Sequence, residues 1–289
     1  MRQVLVKAAF AAVMMSCTAA APNAPAVGDL HLQTHLAPAV DSAYRVYVPR
    51  SWKPGKRWPL VVILHGGGGD ENSPFDRTPG FREKLEAAAD AHGFILVSPR
   101  GLKGWWGARM LPPDATEAVG RGTYRMPPAG KITSPPPALQ ELSARDRAMS
   151  RKSIEAAIEA VQATYRTDEG RVFLMGNSMG SVGTLHLAQE QPKRWCAIAP
   201  SDGPVDPASY PFQRVKRLNA ALFVHGDNDR VAPIESMRAM AEGFRQAGVP
   251  TEFLTVPDGG HSDTWHAALE RIFDFFAGTA CPRSKGHKD

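Results

Sequence analysis

The sequence lacks a membrane-spanning run at its start: the N-terminal apolar stretch, Ala8 to Met15, is too short to cross a bilayer as a helix. It also lacks a block of like charge. The net charge of +5 comes from Arg and Lys scattered along the chain. Only Arg283, Lys285 and Lys288 gather into a small basic tail, and no aromatics interleave with them, which argues against a nucleic-acid surface. There is no internal repeat. Cysteine is scarce, three in 289 residues, and neither His65 nor His225 has neighbours at the spacing a zinc site requires. No zinc site is therefore expected. What remains, 43% hydrophobic and 22% charged residues, is ordinary for a soluble globular protein and ample for a two-sided core.

Residues 1–21 read as an export signal. Arg2 and Lys7 make a positive start, Ala8 to Met15 is apolar, and the small residues Ser16 and Thr18 to Ala21 follow. Pro22, Pro25 and Gly28 come next, which disfavours a buried first helix. Met14-Met15-Ser16-Cys17 also looks like a lipoprotein box without its usual Leu; a lipid on Cys17 would be the one route to membrane attachment. The protein is expected to be exported, periplasmic or secreted. Removing or lipidating Cys17 leaves Cys196 and Cys281, which could form one disulfide or stand as two small buried hydrophobes.

After a Pro/Ala-rich lead (22–40), strand and helix patterns alternate through a domain spanning 41–278, followed by a basic tail at 279–289. Tyr44 to Val48 alternates in period two, as a half-exposed antiparallel strand does. Leu60 to Leu64, Phe94 to Val97, Arg171 to Met175, Trp195 to Ala199 and Ala220 to Val224 read as strands, several of them continuously apolar, and Glu252 to Val256 as another. Helical spacing marks Phe81 to Ala91, Ala144 to Tyr165, Ser178 to Gln189, Ile234 to Ala247 and, as one closing helix, Thr264 to Phe276. Buried strands alternating with helices mean an α/β fold, a mainly parallel central sheet with helices on both faces. One insertion, about 101–140, breaks the rhythm: its seven prolines and six glycines suit neither helix nor sheet. It carries Trp105 and Trp106, and packs over a substrate cleft or merely anchors a surface excursion.

The chemistry concentrates in Gly176-Asn177-Ser178-Met179-Gly180, set between an apolar strand and a helix. A nucleophilic serine there needs a sharp turn that lifts its hydroxyl above the sheet, and flanking glycines leave room for it. The helix start also aims backbone N–H groups at a developing oxyanion. Upstream, His65-Gly66-Gly67-Gly68-Gly69 follows a buried strand and can bring backbone donors close to an acyl oxygen. The expected oxyanion donors are Met179 and Gly67, with Gly68 as the alternative to Gly67. A phosphate loop is excluded, since no Lys-Ser/Thr follows and no helix starts directly afterwards.

A serine nucleophile needs a base, and the base an orienting acid. His261, in the loop Asp258-Gly259-Gly260-His261, can reach back to Ser178. His225 packs at a turn, His186 and His266 read as structural, and His287 lies in the tail. For the acid, Asp229 stands just before the turn into the next helix, at the sheet edge where α/β sites assemble. Asp227 shapes the turn; Asp202, Asp258 and Asp263 are weaker rivals.

Together these segments resemble the α/β-hydrolase superfamily, and within it the secreted polyhydroxybutyrate depolymerase, feruloyl esterase and prolyl-oligopeptidase-like esterase group. The residues concerned are His65-Gly66-Gly67, Gly176 to Gly180, the run from His225 through Asp229 to Pro233, and Gly260-His261. Relatives often place a second glycine after the elbow; here Ser181 follows Gly180. The resemblance runs from Tyr44 to Phe276 and implies a serine esterase with Ser178 as nucleophile, Asp229 as acid and His261 as base, a mechanism that needs no metal and no organic cofactor. It implies an ester substrate, small or oligomeric, of feruloyl, acetyl-sugar or polyester type, with Trp105, Trp106 and Trp265 as candidate substrate contacts. The group also includes peptidases, and a catalytically silent binding module on the same fold is the other reading. Oligomeric state is not legible.

Overall fold

The computed structural model describes residues 30–37, 40–101, 105–116, 120–128 and 143–281; for 30–37, 40 and 41 only the backbone is considered. The export signal, Cys17, the end of the basic tail and parts of the insertion, including all of 129–140, lie outside these residues.

Ten strands are found among them: β1 Leu30–Ala37, β2 Val40–Tyr47, β3 Trp58–Leu64, β4 Ile95–Pro99, β5 Arg109–Leu111, β6 Thr123–Arg125, β7 Thr167–Asn177, β8 Ala197–Ser201, β9 Ala221–Gly226 and β10 Thr251–Val256. The helices are α1 Ser73–Asp76, α2 Phe81–His92, α3 Ala144–Tyr165, α4 Met179–Glu190, α5 Ile234–Gln246, α6 Thr264–Ala267 and α7 Leu269–Gly278. Eight strands form one sheet in the order β1-β2-β4-β3-β7-β8-β9-β10. The β1–β2 and β2–β4 pairs are antiparallel and the other pairs parallel.

The continuous apolar runs are buried because both faces of the sheet are covered. Successive residues of β3 and β4 feed two separate cores: Leu60, Val62, Leu64, Ile95 and Val97 join one, Val61, Ile63 and Leu96 the other. Ile154, Ile158 and Val161 of α3, Val182 and Leu185 of α4, and Met237, Met240 and Phe244 of α5 cover the first face. Phe81 and Leu85 of α2 with Ile272, Phe273 and Phe276 of α7 cover the second. This is the two-sided α/β architecture that the alternation of apolar strands and helices requires.

Four expectations change. β2 was expected to be half exposed, yet Tyr44, Val46 and Tyr47 are all buried, because β1 extends the sheet beyond it and α3 packs on it. β1 itself arises inside the Pro/Ala-rich lead. The 101–140 segment, expected to hold neither helix nor sheet, contributes the two-stranded parallel pair β5–β6. The closing helix is two helices, broken at Ala268. Cys196, at the foot of β8, is disulfide-bonded to Cys281, with Cα atoms 5.3 Å apart, so the end of α7 is tied to the sheet.

Candidate active site

Ser178 sits between β7 and α4 with φ 56° and ψ −115°, a left-handed backbone that a side chain adopts only under constraint. Its N–H donates to the Ser201 carbonyl at the end of β8. The turn is tight enough that a Cβ on Gly176 would lie 2.5 Å from the Gly180 carbonyl oxygen, and one on Gly180 2.1 Å from that of Leu64. Glycine at both positions is therefore a steric requirement of the elbow.

His261 reaches the serine from the loop between β10 and α6. Its Nδ1 lies 2.8 Å from Asp229 Oδ2 and its Nε2 2.7 Å from Ser178 Oγ. A carboxylate only accepts, so Nδ1 carries the proton and donates to Asp229, leaving Nε2 to accept from the serine hydroxyl. Asp229 Oδ1 also accepts the N–H groups of Val231 (2.7 Å) and Ala232 (3.0 Å). Burial alone would raise the Asp229 pKa. Hydrogen bonds from His225, His261 and the Ala232 N–H outweigh it and hold the carboxyl well below the usual carboxylate range. The three residues nominated for nucleophile, acid and base thus lie in one hydrogen-bonded line.

A second buried layer lies behind them. Asp202, one residue past β8 and fully buried, accepts the Gly226 N–H (3.1 Å) and the Asn177 amide (2.9 Å). The same Asn177 amide nitrogen donates to the His261 carbonyl at 3.2 Å, linking elbow and histidine loop. Burial pushes the Asp202 pKa up to about 8, with the Asp229 charge adding to it and the Gly226 N–H opposing it. His225, also fully buried, donates from Nε2 to the Ala232 carbonyl (3.0 Å) and places that atom 3.4 Å from Asp229. Asp227 accepts the Asp258 N–H and Asp263 the Gly260 N–H, so both shape loops. Sequence reasoning ranked Asp202 only as a rival acid and missed Asn177. No local pattern signals a contact that the sheet order alone creates.

Asp202, His225 and Asp229 are the group of potential metal ligands among the described residues, with ligand atoms within 4.8 Å of one another. Their oxygens already accept from Asn177, Gly226, Val231, Ala232 and His261, a donor set that suits hydrogen-bonded acids rather than a metal.

The loop after β3 closes the site. Met179 opens α4, so its N–H has no partner within the helix. A Cβ on Gly66 would be 3.7 Å from the Ser178 Cβ, which shows how closely this loop approaches the elbow. His65 holds it in place. Nδ1 donates to the Gly66 carbonyl (2.8 Å), and Nε2 accepts the Gly101 N–H (3.3 Å). Desolvation lowers its pKa, consistent with that neutral form. The Trp106 indole stacks edge-on against His65 and donates to the His65 carbonyl at 3.2 Å. Trp106 is 0% exposed, which corrects the expectation that it contacts substrate. It anchors the insertion to the loop instead. Trp105 packs partly buried against the larger core, whereas Trp265, 8% exposed, lines the site.

Ser178, His261, Gly67, His65, Trp265 and Arg77 line one cavity of about 270 Å³. The profile of the phospholipase/carboxylesterase family matches residues 126–279, more than half of the sequence. The chain belongs to that family. It is 24% identical over 203 residues to the bifunctional acetylxylan esterase/xylanase XynS20E of Neocallimastix patriciarum, covering 69% of this chain and 23% of that protein. The chain spans less than half the length of the curated relatives it matches. Among solved structures, a ferulic acid esterase superposes with a TM-score of 0.59 at 17% identity, covering 86% of this chain and 97% of the other. The feruloyl esterase module from Clostridium thermocellum, an S954A mutant complexed with sinapinate, gives 0.60 at 15% identity, covering 92% and 96%. At these identities the likeness establishes the α/β-hydrolase fold.

Proposed function

We propose that this protein is an exported serine carboxylesterase that cleaves carboxylic esters through an acyl-enzyme on Ser178. The observation that carries the reading is the relay from Asp229 through His261 to Ser178, opening on a cavity. His261 Nε2 takes the serine proton as Oγ attacks the ester carbonyl, and Asp229 stabilises the resulting imidazolium. The N–H groups of Met179 and Gly67 hold the oxyanion, Gly68 being the alternative second donor. The protonated histidine then gives its proton to the departing alcohol. Water, deprotonated by the same histidine, releases the acid and restores the serine.

The cavity falls below the roughly 300–1,000 Å³ usual for a drug-sized ligand. It suits one small acyl or alcohol group beside Trp265, with the remainder of a feruloyl, acetyl-sugar or polyester-oligomer substrate over the rim. Export is supported by the signal-like N-terminus and by the Cys196–Cys281 bridge, since such bonds persist in oxidising compartments.

A fluorophosphonate probe tests the nucleophile: the wild type should label, and Ser178→Ala, shown folded by circular dichroism, should not. Failure of the folded wild type to label overturns the serine-enzyme reading. A panel of short p-nitrophenyl, feruloyl and acetyl-sugar esters, hydroxybutyrate oligomers and a peptide amide separates substrates. Preference for the amide would point to a peptidase, and turnover of none to a binding module.

A further inference from the structure

The residues lining the cavity include no Asp and no Glu, and Arg77 is the one permanently charged side chain among them. Its histidine neighbours do not share that role. Desolvation lowers the pKa of His266 to about 4 and also lowers that of His65, so both are neutral near pH 7. The acids close to Arg77 in sequence are each engaged elsewhere. Asp70 accepts from Asn72 and Ser73; Glu71 forms a two-pronged pair with Arg100; Asp76 pairs with Arg45 and Arg82. Among the described residues Arg77 has no carboxylate partner, and the one hydrogen bond of its side chain is a long donation from Nη1 to the Gly67 carbonyl at 3.4 Å. A guanidinium without a carboxylate partner, lining the same cavity as the nucleophile together with Thr78 and Ser262, is placed to receive an anion. Its planar fork matches a carboxylate in two parallel hydrogen bonds.

We propose that Arg77 determines specificity, selecting esters that carry a free carboxylate on either the acyl or the alcohol side of the scissile bond. This rests on the esterase reading above and names the substrate class within it. The carboxylate docks on the guanidinium at the cavity wall while the ester carbonyl lies against Ser178.

Two matched pairs test it. The acyl arm compares the p-nitrophenyl monoester of adipic acid with p-nitrophenyl hexanoate. The alcohol arm compares 3-acetoxybenzoate with 3-acetoxybenzamide. The wild type should favour the anionic member of at least one pair by about tenfold in kcat/KM, as a charge-assisted contact at a solvent-accessible site allows. The ratio should shrink at high salt. Arg77→Gln should bring it to about one, Arg77→Lys should keep part of it, and Arg77→Glu should drive it below one. The arm that responds identifies the side of the ester that bears the charge. A wild-type ratio of one in both arms overturns the proposal. So does an equal loss on both members of a pair in Arg77→Gln, which would mean that the arginine only props the Gly67 carbonyl. A folded wild type that turns over none of the four esters overturns the esterase reading itself, and the proposal with it.

Discussion

Gly180 and Leu64 approach so closely that a single methyl group on Gly180 would sit 2.1 Å from the Leu64 carbonyl oxygen. The obstacle is backbone, part of the central strand β3, and cannot swing aside like a flexible side chain. Gly180→Ala should therefore cost at least about 2–3 kcal/mol, at or beyond the upper end for overpacking. Thermal melts of wild type and variant check this. A variant within a degree or two of wild type would mean that the elbow is looser than described.

Asp229→Asn should leave the fold in place but cut turnover by roughly 10³–10⁴-fold. The amide that replaces one carboxylate oxygen would donate toward His261 Nδ1, favouring the tautomer that puts a proton on Nε2. That nitrogen could then no longer accept from Ser178 Oγ. Ester hydrolysis alongside circular dichroism measures the effect. A loss below tenfold would mean that the Asp229 carboxylate does not set the His261 tautomer.

Asp202 makes stability depend on pH. Its pKa in the folded protein, about 8, lies above the roughly 3.9 of an unfolded aspartate. Between those values the folded state holds the extra proton, so stability should fall as pH climbs from about 4 to about 8. Asp202→Asn cannot titrate, and its melting temperature should change less over the same range than that of the wild type. Parallel curves for the two proteins would show that Asp202 is ionised when folded.

The two tryptophans near the site should separate cleanly by readout. Trp106→Ala removes a fully buried indole and should cost about 3–5 kcal/mol. The folded fraction should keep its substrate ranking, because Trp106 faces His65 and not the cavity. Trp265→Ala also loses packing against Phe81, but it opens the cavity wall and should raise KM. Michaelis curves on one feruloyl and one short aliphatic ester, together with melts, distinguish the two.

Much of this architecture is legible in local pattern, and the gaps have physical causes. The apolar face of α3 follows from the stripe of Ile154, Ile158 and Val161, and β3 from five consecutive apolar residues. The elbow announces itself through two glycines that close backbone approach demands, and the loop after β3 through a glycine run in which Gly66 faces the Asn177 backbone and Gly68 takes a positive φ. β5 and β6 are three residues each, too short for any period to register. β1 lies among prolines, and its place comes from pairing with β2 rather than from its own composition. The split at Ala268 carries no breaker residue. An aromatic in a loop does not reveal its facing direction, which is why Trp106 looked like a substrate contact. Arg77 resembles any surface arginine until its neighbours are seen to be paired with others.

The left-handed backbone of Ser178 sets stability and activity against each other at one position. Such a conformation costs a side-chain-bearing residue of order 1–3 kcal/mol, a cost that glycine escapes. A library selected for heat resistance alone would thus be drawn toward glycine at 178, and its most durable members would be the ones that had given up the hydroxyl.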